Sequence, residues 1–444
     1  MIEILRHRSF RRLFLAQVVA LVGTGLATVA LALLAYDLAG ANAGAVLGTA
    51  LAIKMIAYVT LAPVAGALIP PARRKVALIA FDLIRASVAL ALPFVTEVWQ
   101  VYLLIFLLQS ASAGFTPLFQ SLIPEILTAE RDYTRALSLS RLAYDLESLL
   151  SPALAAALLT VISFHGLFAG TSLGFLLSAS LVLSTAFPVI VAAAASDGPY
   201  ARALRGMRIY LRTPRLRGLL ALNLAAAAAG SMVFVNTVVI VRVNLAQPES
   251  AVALALACFG GGSMLAAFAL PWWLDRRTDR QVMTSGSLAA VLILSVLALA
   301  WPRLAAEARW TLLLAGWALL GCAYASIVTP GGRLLRRSAD AASRPALFAA
   351  QFSLSHACWL LTYPLVGWLG ATAGIPAALW AMTGLAALGT LLAWRLWPAD
   401  DPIVIEHAHD DLSPGHPHLA QHQVGGRHQH EFHIDDLHSD WPER

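Results

Sequence analysis

Twelve stretches of about 20 mostly apolar residues, the length of helix that crosses a bilayer, follow one another along the chain. They fall at 12–36, 43–68, 76–95, 99–121, 136–160, 165–190, 216–240, 251–273, 281–300, 310–329, 346–370 and 375–397. In lipid the backbone finds no water to bond, so a spanning segment is either a helix or a strand of a closed barrel. Barrel strands are about 10 residues long and alternate polar with apolar positions, which these runs do not. An all-α membrane protein with twelve transmembrane helices is predicted. Composition agrees: 59% of the 444 residues are hydrophobic and 13% charged, against about 25% charged in soluble proteins. A soluble enzyme, a disordered chain and a collagen-like fibre are excluded.

The 31 basic residues supply an orientation, because short cytoplasmic loops collect Lys and Arg. Alternating the loops from an inside N-terminus puts 25 on one side, among them Arg6, Arg8, Arg11, Arg12 and six arginines from Arg202 to Arg217. Three lie on the other side (Arg242, Arg303, Arg309), and three fall within spans (Lys54, Arg85, Arg141). Both termini are therefore expected in the cytoplasm. The basic start of the chain runs straight into one apolar stretch and then another, which reads as an uncleaved first helix rather than a signal peptide. The net charge of +6 is then a property of one membrane face, and no nucleic-acid partner is implied. Cys258, Cys322 and Cys358 are widely spaced in apolar surroundings, so neither a disulfide framework nor a zinc finger is expected.

The longest internal connection, a basic cytoplasmic loop at 191–215, divides the chain into two six-helix bundles, 1–190 and 216–397, with a tail at 398–444. Paired bundles are the plan of transporters built from repeats. A weak repeat supports the division. Gly66-Ala-Leu-Ile-Pro-Pro-Ala-Arg-Arg-Lys75 follows the second stretch, and Leu274-Asp-Arg-Arg-Thr-Asp-Arg280 follows the eighth.

An ionisable side chain inside a bilayer costs about 2.5–3.5 kcal/mol on insertion scales and calls for a reason. Asp82 and Arg85 stand at i,i+3, and Arg141 and Asp145 at i,i+4, spacings that let each pair meet on one helix face. Glu147 points about 200° away from Asp145 and has no partner on its own helix. Lys54 has none either, and an interhelical Lys54–Glu147 contact would satisfy both. A carboxylate in a low-dielectric cavity can trade a proton for a cation, which makes Glu147, then Asp145 and Asp82, candidates for coupling. Tyr144, Asn223, Asn236 and His356 add polar groups within spans. His356 and Cys358 diverge on their helix and do not share an ion easily. Gly260-Gly261-Gly262 is expected to let helices approach closely.

Past Pro398 the composition changes. The last 47 residues hold nine of the twelve histidines (His407, His409, His416, His418, His422, His428, His430, His433, His438) and ten acids, for a net charge of −8. Few apolar residues and high charge predict a disordered tail. Its three His-x-His pairs and nearby carboxylates, without thiols, suit nickel, cobalt, copper or zinc.

Leu274–Arg280 resembles the loop motif of the major facilitator superfamily, Gly-x-x-x-Asp-Arg-x-Gly-Arg, with Asp275 and Arg276 matching and Asp279 departing from it; the first copy has Pro70 and Pro71 where Asp-Arg would stand. Ser138-Leu-Ser-Arg-Leu-Ala-Tyr-Asp-Leu-Glu147, Ser151-Pro-Ala-Leu154, Val235-Asn-Thr-Val-Val-Ile-Val-Arg242 and the tail resemble the nickel/cobalt-resistance exporters of that superfamily. The resemblance implies a monomeric transporter of the bacterial inner membrane, without enzymatic activity or a resident cofactor. It would exchange outward-moving Ni²⁺ or Co²⁺ for protons by alternating access, with Asp275, Arg276, Asp279 and Arg280 in a gating loop. The alternatives are an exporter of drugs, siderophores or metal complexes with a regulatory tail, and a membrane-anchored metal sensor.

Overall fold

The structure is a computed structural model. It describes residues 2–69, 73–127, 132, 136, 139–140, 143, 147, 151–186, 199–339, 343–402, 404–406, 423–424, 427–435, 437–438 and 440–442. Four helices open the chain: α1 (Arg8–Ala39), α2 (Ala43–Leu68), α3 (Arg74–Ala91) and α4 (Val98–Ile126). Residues 151–158, with the described positions 139–140, 143 and 147 before them, are helical and form α5. Then come α6 (Phe164–Leu183), α7 (Pro199–Arg212), α8 (Pro214–Val239), α9 (Glu249–Leu274) and α10 (Asp279–Ala300). The last are α11 (Ala306–Val328), the short α12 (Gly331–Arg336), α13 (Arg344–Thr372) and α14 (Ile375–Leu396).

The long helices coincide with the apolar runs because a helix that satisfies its own backbone is the cheapest state for such a run in lipid. Their ends follow local chemistry. Thr278 accepts from the Gln281 N–H at 3.2 Å while the Gln281 side chain accepts from the Thr278 N–H at 3.3 Å, a reciprocal cap that starts α10. The stretch at 191–215 is not simply a loop. Its described part is the helix α7, whose apolar side packs on α13 and α8. Its mixture of arginines and apolar residues hides it from a search for continuous apolar runs.

Three buried cores define the architecture. One occupies the end of the bundle remote from the basic residues and draws on both halves: Val29, Leu33, Leu47 and Phe168 from the first, Val235, Phe259, Trp317 and Met382 from the second. At the opposite, basic face the halves have separate cores. One contains Phe10, Leu78, Phe119 and Val182, and the other Tyr210, Leu216, Leu334 and Trp397. The molecule is thus joined at one end and divided at the other. Among the described residues, the extended contacts between halves run through α1, α2 and residues 40–42 on one side and α8, α9 and α13 on the other.

The join depends on bare backbone. A Cβ on Gly48 would lie 2.4 Å from the Tyr363 carbonyl oxygen, and one on Gly367 would meet the Gly44 carbonyl oxygen at 2.2 Å. Only glycine permits α2 and α13 to come this close. Within the second half the same device joins α9 to α11: a Cβ on Gly262 would sit 1.8 Å from the Ala318 oxygen, and one on Gly321 1.9 Å from the Phe259 oxygen.

The disorder expected of the tail does not extend to its described residues. Strands β1 (Val404–Glu406), β2 (Gln423–Val424) and β3 (Arg427–Glu431) form an antiparallel sheet in the order β1-β3-β2, with Val404 opposite Glu431 and Gln423 opposite His428. Phe432 and Ile434 bury into the core of the second half and Trp441 packs beside them. Three apolar anchors and a set of ion pairs outweigh the polar composition of the segment. Asp401 receives Arg215 at 3.2 Å, the Trp397 indole N–H at 3.0 Å and Arg337, and Asp440 lies 3.1 Å from Arg212.

Gly262→Val tests the α9–α11 contact. The added atoms are expected to destabilise the protein by about 1–3 kcal/mol, read as a lowered thermal unfolding temperature in detergent. Gly261→Ala is the control: a Cβ there meets nothing within 4 Å, and no loss is expected.

Candidate functional site

The divided end exposes polar side chains between the halves. α2 contributes Lys54 and Tyr58, one helical turn apart. α5 contributes Glu147 and Ser151, also one turn apart, and Gly25 of α1 lets them in: a Cβ there would lie 2.0 Å from Ser151 Oγ and 2.8 Å from Glu147 Oε1. Lys54 and Glu147 are half-buried and within electrostatic reach of each other.

Tyr58 carries the arrangement across to α13. Lys54 Nζ lies 5.8 Å from the Tyr58 ring centre, and that ring stacks on His356 with centroids 5.6 Å apart and planes 20° apart. His356 also lies against Phe352 at 4.0 Å. Its Nδ1 is 2.6 Å from the Phe352 carbonyl oxygen; a carbonyl only accepts, so Nδ1 carries the proton and Nε2 is the basic nitrogen. Lys54 acts electrostatically on His356 as well. Glu147, Lys54, Tyr58 and His356 therefore form one chain from the first half to the second.

Beyond His356 the second half presents a wall of aromatic rings drawn from four helices. Phe234 of α8 meets Phe259 of α9 at 5.4 Å, and Phe259 meets Tyr324 of α11 at 5.5 Å. Trp359 of α13 lies 6.1 Å from Phe234, 6.3 Å from Tyr324 and 4.9 Å from Tyr363. Gly230 makes room for the indole, since a Cβ there would come within 2.3 Å of it. Such geometry suits a flat conjugated group or an organic cation. Sequence spacing does not bring these rings together, because they come from four helices and only Trp359 and Tyr363 share one; the abundance of twelve tryptophans is a signal only of composition.

Other candidates lie elsewhere. Asp82 is fully buried, paired with Arg85, and accepts from Ser178 at 2.8 Å. The Arg85 guanidinium is held between Phe115 at 4.1 Å and Phe175 at 4.5 Å. This cluster fastens α3 to α4 and α6 inside the first half, away from the gap. Asn223 lies near Tyr210, whose hydroxyl donates to Gln351, at the junction of α7, α8 and α13. Burial pushes the Tyr210 hydroxyl up. Asn236 donates to the Val366 carbonyl at 3.2 Å, and its Oδ1 faces Gly44 and Gly370, at the joined end.

In the loop after α9, Arg276 turns back to its own helix, donating to the Trp272 carbonyl at 3.1 Å over that indole. The bonds between helices come from the next residues. Asp279 faces Arg333 at 3.4 Å and Arg337 at 3.8 Å, and Arg280 donates to the Trp397 carbonyl at 2.8 Å. Asp275 has no ion pair among the described residues.

Arg141, Tyr144 and Asp145 lie outside the described residues, as do His407, His409, His416, His418 and His422. Of the remaining tail histidines, the His428 and His430 rings are 5.0 Å apart and those of His430 and His438 4.9 Å. His438 Nδ1 lies 2.8 Å from Asp435 Oδ1. Burial alone would raise the Asp435 carboxyl, but the His438 ring and the His438 and Leu437 backbone N–H groups hold it at about 2. Among the described residues no group of three or more His, Cys, Asp or Glu side chains is arranged to hold a metal ion.

Two helical bundles joined at one end and divided at the other, with a polar chain between them, define a transporter rather than an enzyme. Residues 13–244 and 219–410 each match the Major Facilitator Superfamily, and the chain belongs to it. It is a multi-pass membrane protein. The fold is similar to that of the nucleoside transporter NupG (TM-score 0.71, 14% identity, 88% of this chain and 100% of that one). It is also similar to a POT family transporter in complex with 5-aminolevulinic acid (0.66, 12%, 86% and 95%) and to a D-xylose-proton symporter (0.64, 14%, 88% and 98%). No curated protein matches the sequence.

The Asp82–Arg85 cluster yields a structural prediction. Arg85→Met leaves a buried carboxylate without its partner and is expected to cost about 3–5 kcal/mol, seen as loss of monodisperse protein on extraction. Combining it with Asp82→Leu restores much of that loss if the pair is structural.

Proposed function

We propose that the protein is a proton-coupled secondary transporter working by alternating access, with Glu147 as the coupling carboxylate. What supports this reading is that Glu147 of α5 and Lys54 of α2 lie within electrostatic reach of each other, with Tyr58 linking Lys54 to His356 of the other half. A pair locked for stability is held in direct contact within one half, as Asp82 is by Arg85 and Ser178. A pair that reaches the gap can exchange partners. Lys54 occupies the place of a cation when Glu147 is empty, and a proton and a solute cation compete for the same carboxylate. Binding of one then releases the other, which is the requirement for antiport. By the positive-inside rule the basic face lies in the cytoplasm of a bacterial inner membrane, so the divided end is the one open to the cytoplasm. Rocking about the α2–α13 join then turns the site outward.

The aromatic wall beside the pair favours an exported organic solute with a flat cationic portion. A bare dication gains little from five aromatic rings and one lysine-paired carboxylate; divalent ions are held by several oxygen or imidazole donors. Export of Ni²⁺ or Co²⁺ is the second reading, favoured by the nine tail histidines and by the resemblance of the sequence to the nickel/cobalt-resistance exporters.

Efflux of ethidium and tolerance of nickel and cobalt salts, measured in the same expressing cells, separate the two. For the organic solute, Trp359→Ala is expected to reduce ethidium efflux roughly tenfold, and replacing the nine tail histidines by glutamine leaves it intact. For the metal, the histidine replacement lowers nickel or cobalt tolerance and Trp359→Ala does not. Under either, Glu147→Gln abolishes proton-driven flux while the protein stays in the membrane. Flux that survives this substitution at normal expression removes Glu147 from the coupling step.

A further inference from the structure

On the basic face of the second half, the tail sheet and the gating loop enclose a cleft of about 430 Å³. Its walls carry four guanidinium groups: Arg333 and Arg336 from α12, Arg337 just after it, and Arg344 at the start of α13. Glu431 and His433 from the tail close the other side, and Asp279 lies at the edge. Asp279 faces Arg333 and Arg337, and Asp401 draws Arg337 away toward Trp397. Among the described residues, two carboxylates, Asp279 and Glu431, line the cleft beside four arginines.

The bonding of the guanidiniums is incomplete. Arg337 Nε is buried with no acceptor. Arg344 uses only Nε, donating to the Ala339 carbonyl at 3.1 Å, which leaves both of its terminal nitrogens for another partner. Arg336 is exposed beside them. The amino end of α13, a helix of 29 residues, adds its positive dipole to the same wall. Several arginine forks converging on one cleft match a phosphate oxygen cluster, which accepts two parallel bonds from each fork.

We propose that this cleft is a binding site for a phosphate-bearing anion, either the headgroup of an acidic phospholipid or a free phosphorylated solute. The phosphate takes bonds from Arg336 and Arg344, with Arg333 and Arg337 adding positive charge to the same wall. Because one wall is the tail, occupancy fastens the tail to the gating loop. The site is separate from the Glu147 region and does not depend on which solute is carried.

The full-length protein in neutral detergent is titrated with inorganic pyrophosphate and, separately, with short-chain phosphatidylglycerol, following the unfolding temperature; phosphatidylcholine is the control. At least one anion is expected to raise that temperature saturably while phosphatidylcholine does not. Stabilisation by both assigns a free phosphate ligand, and stabilisation by phosphatidylglycerol alone assigns a lipid headgroup. Arg336→Gln is expected to weaken the response roughly tenfold, the value of one charged hydrogen bond. Glu431→Gln removes a repelling charge and is expected to strengthen it. The opposite signs set the site apart from general attraction to a basic face, and the second variant keeps the test open if the first fails to fold. No stabilisation by either anion, or two variants that leave affinity unchanged or move it in the same direction, overturns the proposal.

Discussion

The α2–α13 join sets the geometry of everything between the halves. Gly44, Gly48 and Gly367 let two helices meet backbone to backbone, a mode of association that works in lipid because it needs close packing rather than expulsion of water. Once the helices are in register there, Tyr58 lies further along the same seam against His356, and Lys54 follows from its place one turn before Tyr58. The shared core ends where the seam does, and the two basic-face cores are separate.

Two kinds of charge inside the apolar body follow from this division. Asp82 and Arg85 lie within one half, with Ser178 and two aromatic rings completing their surroundings. Opening or closing the gap changes none of those partners. Lys54 and Glu147 lie on different helices at the gap, and their surroundings include His356 of the other half, so rotation of the bundles alters what they face. A charge that must change partners during a cycle belongs at such a boundary.

The spans are legible because long apolar runs leave a chain in lipid only one choice of structure, and among the described helices most ends fall near the apolar boundaries, α6 stopping earlier, at Leu183. The Asp82–Arg85 pair is legible for a similarly local reason, the i,i+3 spacing on one helix. What sequence spacing does not carry is distance between helices. Asn223 reads as a polar residue within a span, and its nearness to Tyr210 of α7 is not contained in its spacing. The aromatic wall needs four helices to exist. The motif resemblance draws attention to Asp275 and Arg276, whereas the ion pairs between helices come from Asp279. The tail departs from expectation for another reason: average composition predicts disorder, but three well-placed anchors, Phe432, Ile434 and Trp441, dock its described part.

That docking ties the tail to the start of α10 through one side chain. Arg337 faces Asp279 of α10 and Asp401 of the tail, and a guanidinium has a fixed fork of donors to divide between them. Strengthening its hold on one carboxylate weakens its hold on the other. Asp401 is further fixed by Arg215 at the start of α8 and by the Trp397 indole at the end of α14, so the attached tail moves with the second bundle as one body. A change in charge on the tail, whether a proton or a metal ion on its histidines or an anion in the arginine cleft, therefore reaches Asp279 through Arg337. It needs no contact with Glu147 or Lys54, because Asp279 and Arg337 lie together at the basic face.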